Sequence, residues 1–493
     1  MSLDQAALAA NRFGFGARPG ELRSIAGDPV GWVKAQLTPE RAPPAVIAAL
    51  PPAEDDVLAF GRFYVSQRLQ GENGERMEQR LERQGVSRED IQRLSTEDAF
   101  RQHFRARYDN ATKARLDTAF ATERPAFERL VHFWSNHFTV SAMKPQAAAM
   151  PPSFEKEAIR PHVGGRFADM LVASTKHPGM GIYLDNWSSI GPNSRWAREP
   201  RSMPRLGFGP GGRPTGLNEN LGREILELHT LGVNGGYAQA DVQALAAIIT
   251  GWTYDRPPAR YYFGDEKGTR SGAQLFSFVN DAHEPGAKTL LGKSYPPNGV
   301  AQGEAALQDL ARRPATARFI ATKLARHYIA DTPPPAAVDR IAQAFTRSDG
   351  DLRATMTALV DSPEAWASPF VKFKRPEEYL ISVMRALDIK TLPPGVGANA
   401  CGAMGQVIWR AQGPDGWADT SGPWLSGDLV WKRIEWAEAL AQRVSRADVD
   451  PASIGEAVLG PLLSAETRQA VQRAESPMQG MVILLSSPEF QRR

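Results

Sequence analysis

The sequence contains a single cysteine, Cys401, among its 493 residues. One thiol cannot form a disulfide within the chain, and it excludes metal and iron–sulfur sites that need several cysteine ligands. No apolar run approaches the roughly 20 residues that cross a bilayer as a helix. The sequence also lacks a phosphate-binding loop, a nucleophile elbow and a dinucleotide-binding glycine pattern. We therefore predict no bound cofactor and no membrane-spanning segment.

Positive and negative charges are nearly balanced, with 58 Lys and Arg residues against 55 Asp and Glu residues. The net charge of +3 is too small to indicate a nucleic-acid partner. The N-terminus has Asp4 early and reaches Arg12 before any long apolar run, which is not the pattern of a signal peptide. We therefore expect a soluble, cytoplasmic protein, with export alongside a partner as the alternative.

Helical periodicity dominates the chain. Apolar residues recur with the 3.6-residue period of a helix at 130–138, 221–231, 242–252 and 317–329. Alternation typical of a strand is short and rare, and 273–279 is its best example. The predicted fold is therefore mainly α, a compact multi-helix body with few short strands.

Composition divides this body into three parts. Residues 71–118 are rich in Glu, Arg and Gln and nearly free of Pro, which predicts a charged helical arm or insertion. Residues 1–70 form the N-terminal helical part of the body, and residues 119–493 form the main helical body.

One stretch of the main body, residues 191–217, is too rich in Gly and Pro to hold a helix. Unstructured loops of this length are usually functional or disordered, so the stretch is either a connector or a lid over a ligand. As a lid, its Arg195, Arg205 and Arg213 would suit an anionic ligand.

The most informative segment is residues 218–252, where two helices are joined by a turn. At about 100° of rotation per residue, Asn220, Arg223, Glu224 and Glu227 share one arc of the first helix, and Leu and Ile cover much of the rest. A helix that is apolar over most of its surface is usually buried. The polar arc therefore faces either solvent or a polar site inside the protein.

A second helix, at 128–140, carries polar residues among aromatic ones. His132 and Asn136 share one face of it, and His137 lies about 100° further round. Polar groups buried among aromatic rings must find partners or cost roughly 1–3 kcal/mol each.

The polar arc of the first helix offers such partners. We predict that Glu224 or Glu227 accepts a hydrogen bond from His132 and that Arg223 bonds Asn136. The result is either a buried network that fixes helix register or an active site with a carboxylate as general base. Because the spacing gives no metal-binding motif and Arg223 already supplies a positive charge, we predict no stoichiometric transition metal.

Other polar segments have ordinary structural interpretations. Asp185 and Asn186 suit a turn, and the run from Lys372 to Glu378 suits the start of a helix. The tryptophans between Trp409 and Trp436 predict core packing or an aromatic wall for a ligand.

The chain as a whole resembles one bacterial family, catalogued as domain of unknown function 1800. The motifs that carry the resemblance span almost the whole chain: NRFGFGARPGEL, HFWSNHFTVS, HPGMGIYLDNWSSIGPNS, LNENLGREILELHTLGVNGGYAQADVQALAAIITGW, HEPGAKTLLGKSY and SPEFQRR. The chain departs from the family pattern at Val407, where a proline is expected, and this affects one local turn. The family has no established activity. Its members are often encoded beside a second family, domain of unknown function 1501, whose members resemble sulfatases or alkaline phosphatases and often carry export signals.

Two functional expectations follow. The first is a hydrolase with a polar pocket between the two helices, and the second is a non-catalytic partner or chaperone of the co-encoded, exported sulfatase- or phosphatase-like protein. For the hydrolase, the expected catalytic residues are Glu224, Glu227, His132, Asn136 and Arg223. The expected substrate-binding residues are Asn220, His137, Asp185, Asn186, Arg195, Arg205 and Arg213.

Overall fold

Helices make up most of the computed structural model, which describes residues 3–71, 74–83, 85–95, 97–199, 216–255, 269–367, 370–444 and 450–493. The described residues form 27 α-helices and two sheets of two strands each. The predicted mainly α fold with few short strands is confirmed. Among the described residues, no helix is long and apolar enough to cross a membrane.

The N-terminal quarter of the chain is helical. The C-terminal part of its last helix enters the main core through Leu116, Ala119 and Phe120, so this end of the predicted charged arm belongs to the main body. The helices are α1 (Leu3–Arg12), α2 (Glu21–Ile25), α3 (Pro29–Ala35), α4 (Ala45–Ala48), α5 (Ala53–Leu69), α6 (Gly74–Arg83), α7 (Arg88–Ser95) and α8 (Glu97–Ala121).

The middle of the chain contains both sheets and two π-helical segments. The elements are α9 (Pro125–His137), α10 (Pro151–Phe154) with the π-helical segment Glu155–Ile159, α11 (Phe167–Lys176), α12 (Pro178–Tyr183), α13 (Arg195–Arg198), α14 (Asn220–Glu224) with the π-helical segment Ile225–Thr230, α15 (Gln239–Ile248), β1 (Trp252–Tyr254), α16 (Gly272–Leu275), β2 (Phe276–Phe278), β3 (Lys288–Leu290) and β4 (Lys293–Tyr295).

The rest of the chain is helical. Its helices are α17 (Val300–Ala311), α18 (Pro314–Tyr328), α19 (Pro335–Arg347), α20 (Leu352–Val360), α21 (Pro376–Ala386), α22 (Val396–Ala403), α23 (Gly427–Val444), α24 (Pro451–Val458), α25 (Ala465–Gln472), α26 (Pro477–Ser486) and α27 (Pro488–Gln491). Short 3-10 helices lie at Pro145–Ala147, Arg160–His162, Asn186–Ser188, Asn280–Ala282, Pro363–Ala365, Gly422–Trp424 and Gly460–Leu462.

Helix starts follow the chemistry of the sequence. Asp351, Ser464 and Ser476 each accept a hydrogen bond from a backbone N–H of the first turn that follows them, which satisfies a donor the helix itself cannot. Many helices also open with Pro, whose missing N–H costs nothing at that position.

Each sheet is a single antiparallel pair. β1 pairs with β2, with Thr253 opposite Ser277, and β3 pairs with β4, with Thr289 opposite Ser294. The strand predicted at 273–279 exists at Phe276–Phe278, but its first residues form helix α16.

Two helices lie at the centre of the core. Every residue of α9 except Asn136 is buried, and every residue of α21 is buried. Both helices nevertheless carry charged residues. A charge placed inside a protein must be paired or hydrogen-bonded, so these two helices locate the polar interior of the molecule.

Candidate functional site

Arginine side chains pair with the buried carboxylates of α9 and α21. Glu128 of α9 receives two hydrogen bonds from Arg160, at 3.0 and 2.5 Å. Glu377 of α21 accepts one from Arg115 Nε at 2.7 Å, and Arg115 also contacts Glu155. Each charge therefore has an opposite charge within reach, which the low-dielectric interior requires.

The adjacent residue Glu378 lies among several cations. Its carboxylate is 2.9 Å from Arg129, 3.3 Å from Arg375 and 3.2 Å from Arg493. Although burial alone would raise the pKa of Glu378, these guanidinium groups hold it well below its usual range. Glu378 is therefore ionised and engaged, and it has little freedom to act as a base.

His132 lies between two of these carboxylates. Its Nε2 is 3.7 Å from Glu128 Oε1, and its Nδ1 is 3.7 Å from Glu377 Oε1. Both distances are too long for a hydrogen bond. Burial, followed by the nearby arginines, holds the pKa of His132 well below its ordinary value. The imidazole is therefore neutral at physiological pH.

A small cavity of about 30 Å³ opens beside His132. A volume of this size admits a water molecule or the reacting end of a larger compound, because about 10–15 Å³ of such volume is enough for one water. The residues that line it are Arg115, His132, Ser135, Asn136, Thr139, Val140, Arg375, Glu377, Gln406, Ile408, Trp409, Ala411 and Trp417. We call it the His132 pocket.

Several polar atoms around the His132 pocket lack a protein partner. His132 Nε2 and Trp417 Nε1 are buried and make no hydrogen bond in the described structure. The arginine and histidine neighbours of Glu377, Arg115 and His132, both approach its Oε1. Most buried polar atoms in proteins are satisfied, so Trp417 Nε1 offers a hydrogen-bond donor to a molecule that enters the pocket, whereas His132 Nε2 lies on the side of the ring that faces Glu128.

Two tryptophans form the half-exposed rim of the pocket. Trp409 Nε1 donates to Glu155 at 3.2 Å, and the Arg115 guanidinium carbon lies 5.2 Å from the Trp409 ring centre. The backbone φ of Trp409 is 53°. Positive φ is a genuine outlier for a bulky side chain, and such strain concentrates at functional sites.

The second rim residue, Trp417, is fixed by Asn136. The side chain of Asn136 donates to the Trp417 carbonyl at 2.8 Å and accepts from the Trp417 N–H at 2.8 Å. The preceding Gly416 packs directly on the C-terminal end of α9. Asn136 therefore lines the His132 pocket, and the contacts it makes there position Trp417.

The predicted pairing of the two helices is wrong. Arg223 bonds Glu219 at 3.1 Å and Gln239 at 2.9 Å instead of Asn136. Glu227 accepts from Tyr237 at 3.1 Å instead of from His132. The cause is that the polar arc of α14 faces Tyr237 and the start of α15 at Gln239, and not α9.

Glu224 lies on the same half-buried surface as Glu227. Burial, and then the like charge of Glu227, raises the pKa of Glu224 to about 7. The helices of His132 and Glu224 do meet, but through His137, whose Nε2 lies 3.1 Å from the His229 carbonyl oxygen. His137 is only 2% exposed, which leaves it little surface for the substrate contact that was predicted.

The remaining predicted binding residues are scattered. Asn220 is exposed at the start of α14, and Asp185 pairs with Lys144 at 2.7 Å. Asn186 is buried, where its amide donates to the backbone carbonyls of Ile249 and Trp252 at 3.2 and 3.1 Å.

The arginine-rich loop is described only in part. Arg195 is exposed, 3.3 Å from Asp281 and 3.4 Å from Glu199. Arg205 and Arg213, and most of the predicted lid, lie outside the described residues.

Sequence reasoning missed half of the pocket. Glu377 and Arg375 have the sequence pattern of an ordinary helix start, and Arg115 and Gln406 are not among the predicted site residues. One signal was available: Glu377 and Glu378 directly precede the run Tyr379–Met384, which is apolar on nearly every side of the helix. Charges in the first turn of such a helix are buried with it.

The chain belongs to the DUF1800 family of proteins of unknown function, whose family model matches residues 8–492. No curated protein and no solved structure matches the chain. Within the described residues, no group of three or more His, Cys, Asp or Glu side chains is arranged to hold a metal ion. The absence of a stoichiometric metal stays a prediction.

Proposed function

We propose that the protein is a hydrolase whose reacting centre is the His132 pocket, with an ester or amide carbonyl as the bond it attacks. One observation carries the proposal: a neutral histidine, a carboxylate held through one oxygen and a buried indole N–H without a protein partner line the same cavity. In a network that served stability alone the indole N–H would have a partner, because leaving it unsatisfied costs about 1–3 kcal/mol.

Glu377 acts as the general base. Arg115 holds its Oε1 at 2.7 Å, which leaves Oε2 to accept a proton from a water molecule in the pocket. The water oxygen attacks the carbonyl carbon while the carbonyl π electrons move onto oxygen. The intermediate then expels its alcohol or amine, which takes the proton back from Glu377.

Arg375, Gln406 and Trp417 bear the donors on the pocket wall. Their N–H groups stabilise the negative charge that develops on the carbonyl oxygen, as donors in a water-poor site do in other hydrolases. The neutral imidazole of His132, 3.7 Å from the Glu377 carboxylate, orients the water without placing a second positive charge beside it.

The volume of the pocket limits what can enter it. About 30 Å³ holds the reacting group but not a whole substrate. The rest of the substrate must therefore lie outside, against the half-exposed rings of Trp409 and Trp417. This favours a substrate with a flat or apolar group next to the scissile carbonyl.

The test is release of a chromophore from a panel of aryl esters, aryl amides, phosphate esters, sulfate esters and glycosides. We expect turnover of an ester or amide and a 10²–10⁴-fold loss in Glu377→Gln, roughly the contribution of a general base. Glu489→Gln is the matched control, because Glu489 is buried away from the pocket and bonds Ser464 and Thr467. It should keep full activity.

Two results would overturn the proposal. If no substrate in the panel is turned over, the protein is not the proposed hydrolase. If Glu377→Gln keeps its activity, the His132 pocket is not the reacting centre. The alternative, a non-catalytic partner of a co-encoded protein, predicts no turnover and a stable complex with that protein at micromolar concentration.

A further inference from the structure

Positive charge accumulates in the core on the side of α21 that carries Glu378. Arg129 of α9 and Arg493 both contact this carboxylate, at 2.9 and 3.2 Å. Among the described ion pairs, Glu378 is the only carboxylate partner of either arginine. Tyr328 of α18 lies beside them. We call Arg129, Arg493 and Tyr328 the Tyr328 cluster, and we propose that it binds a chloride ion inside the protein.

Each residue of the Tyr328 cluster has a donor group without a hydrogen-bond partner in the described structure. These groups are the Tyr328 hydroxyl, Arg493 Nη1 and Arg129 Nε. Tyr328 is 0% exposed, Arg129 1% and Arg493 2%, so bulk solvent does not reach the donors. Because most buried donors in proteins are satisfied and an unsatisfied one is costly, the three groups indicate a bound acceptor.

The three residues come from separate parts of the chain and are held close together. The Arg129 guanidinium carbon lies 6.0 Å from the centre of the Tyr328 ring. The backbone of Arg493 exchanges two hydrogen bonds with Lys372, at 3.1 and 2.9 Å. Burial raises the pKa of Tyr328, although the charges of Arg129 and Arg493 oppose this shift. The hydroxyl is therefore protonated at neutral pH and can donate to an anion.

Charge favours an anion over a water molecule as the acceptor. Burial, followed by the charge of Arg493, lowers the pKa of Arg129 to about 9. Burial, followed by the charge of Arg129, lowers the pKa of the adjacent Lys374 to about 7. In both cases burial and the repulsion between cations outweigh the attraction of Glu378. A water molecule would satisfy the donors but leave this repulsion, whereas an anion offsets it.

A third arginine next to Glu378 does not need the anion. Arg375 lies 3.3 Å from Glu378, and the carboxylates of Asp419 and Glu377 also stabilise its charge. The surplus of positive charge therefore lies on the two arginines of the Tyr328 cluster.

The arrangement of the donors favours a monatomic ion. A carboxylate or phosphate is usually bound by paired N–H groups of one guanidinium. Here the donors without partners come singly from three segments, and all three residues are closed to solvent. A small spherical anion can accept hydrogen bonds from several directions, and chloride is the common anion of this kind.

The test compares urea unfolding of the full chain in sodium chloride and in sodium gluconate at equal ionic strength. Gluconate is too large for a closed site. We expect the unfolding midpoint to rise with chloride concentration, as it does when a ligand binds only the folded state. Tyr328→Phe removes one donor and should weaken chloride binding at least tenfold.

Tyr295→Phe is the matched control. Tyr295 is also buried, but its hydroxyl donates to Asp309 at 2.9 Å, so this variant should keep the full dependence on chloride. Crystals grown in sodium bromide provide a second measurement. Bromide replaces chloride and scatters anomalously, and we expect a peak in contact with Tyr328 Oη, Arg129 and Arg493.

Three outcomes would overturn the assignment. The first is an equal unfolding midpoint in chloride and gluconate, and the second is an equal dependence on chloride in wild type and Tyr328→Phe. The third is a map in which the Tyr328 cluster holds water and no bromide. None of these measurements involves a substrate, so this proposal and hydrolysis at Glu377 fail independently.

Discussion

Gly416 is the position where a single methyl group should disturb the pocket most clearly. Its φ is 78°, a conformation that costs a residue with a side chain about 1–2 kcal/mol. A Cβ there would lie 2.5 Å from the Asn136 carbonyl oxygen and 2.6 Å from Thr139 Oγ1. Both atoms belong to the end of α9 or follow it directly, so the loop must move instead of the helix.

Movement of the loop should break the two bonds between Asn136 and Trp417, each worth about 1 kcal/mol. We therefore expect Gly416→Ala to lower the free energy of unfolding by about 3–4 kcal/mol, with conformational cost and lost bonds taken together. Denaturant unfolding of the purified variant measures this loss.

Gly236 provides the matched control. Its φ is 79°, and a Cβ there would meet no atom within 4 Å. Gly236→Ala should therefore cost only the conformational part, about 1–2 kcal/mol. Equal losses in the two variants would refute the close packing of the Gly416 loop on α9, and with it the fixed position of Trp417.

Two further predictions concern stability. Glu128→Gln leaves Arg160 buried with only Glu40, at 3.2 Å, as a carboxylate partner, so it should lower the free energy of unfolding by about 3 kcal/mol. The control is Asp339→Asn, which removes an exposed ion pair worth at most about 1 kcal/mol. An equal loss of thermal stability in the two variants would contradict the prediction. Because the pKa of Glu224 is raised to about 7, the folded state keeps a proton that the unfolded state releases, and the contribution of Glu224 to stability falls as pH rises from about 4.5 to about 7. Glu224→Gln should therefore flatten the decline of the unfolding free energy across that range, and an unchanged pH profile would count against the shift.

The helices were predictable because the residue pattern that indicates each helix lies within its own segment of the sequence. Long segments in which apolar residues recur with a helical period, such as 317–329, can be identified as helices without knowing what packs against them. His132 and Asn136 stood out in the same way, since polar groups in an aromatic helix must bond something, although the pocket they line is not the one predicted between their helix and α14. Residue spacing within one helix is sufficient for both conclusions.

The partners of His132 were not predictable in the same way. Glu377 lies far along the chain, and no local pattern says which distant helix packs on α9. Glu224 and Glu227 do share one half-buried face, but residue spacing could not show that this face of the helix lies toward Tyr237 and Gln239 and not toward His132. The apolar run Tyr379–Met384 indicates that α21 is buried, but it does not indicate which helix packs against it.

The most direct test of the account compares two carboxylates in one assay. Sequence spacing favours Glu224 or Glu227 as the base, whereas the proposed base is Glu377, whose Oε1 lies 3.7 Å from His132 Nδ1. With the best substrate of the panel, kcat/KM should fall about 10²–10⁴-fold in Glu377→Gln and stay within about twofold of wild type in Glu227→Gln. Loss of kcat/KM in Glu227→Gln, with full activity in Glu377→Gln, would contradict the assignment of the His132 pocket as the reacting centre.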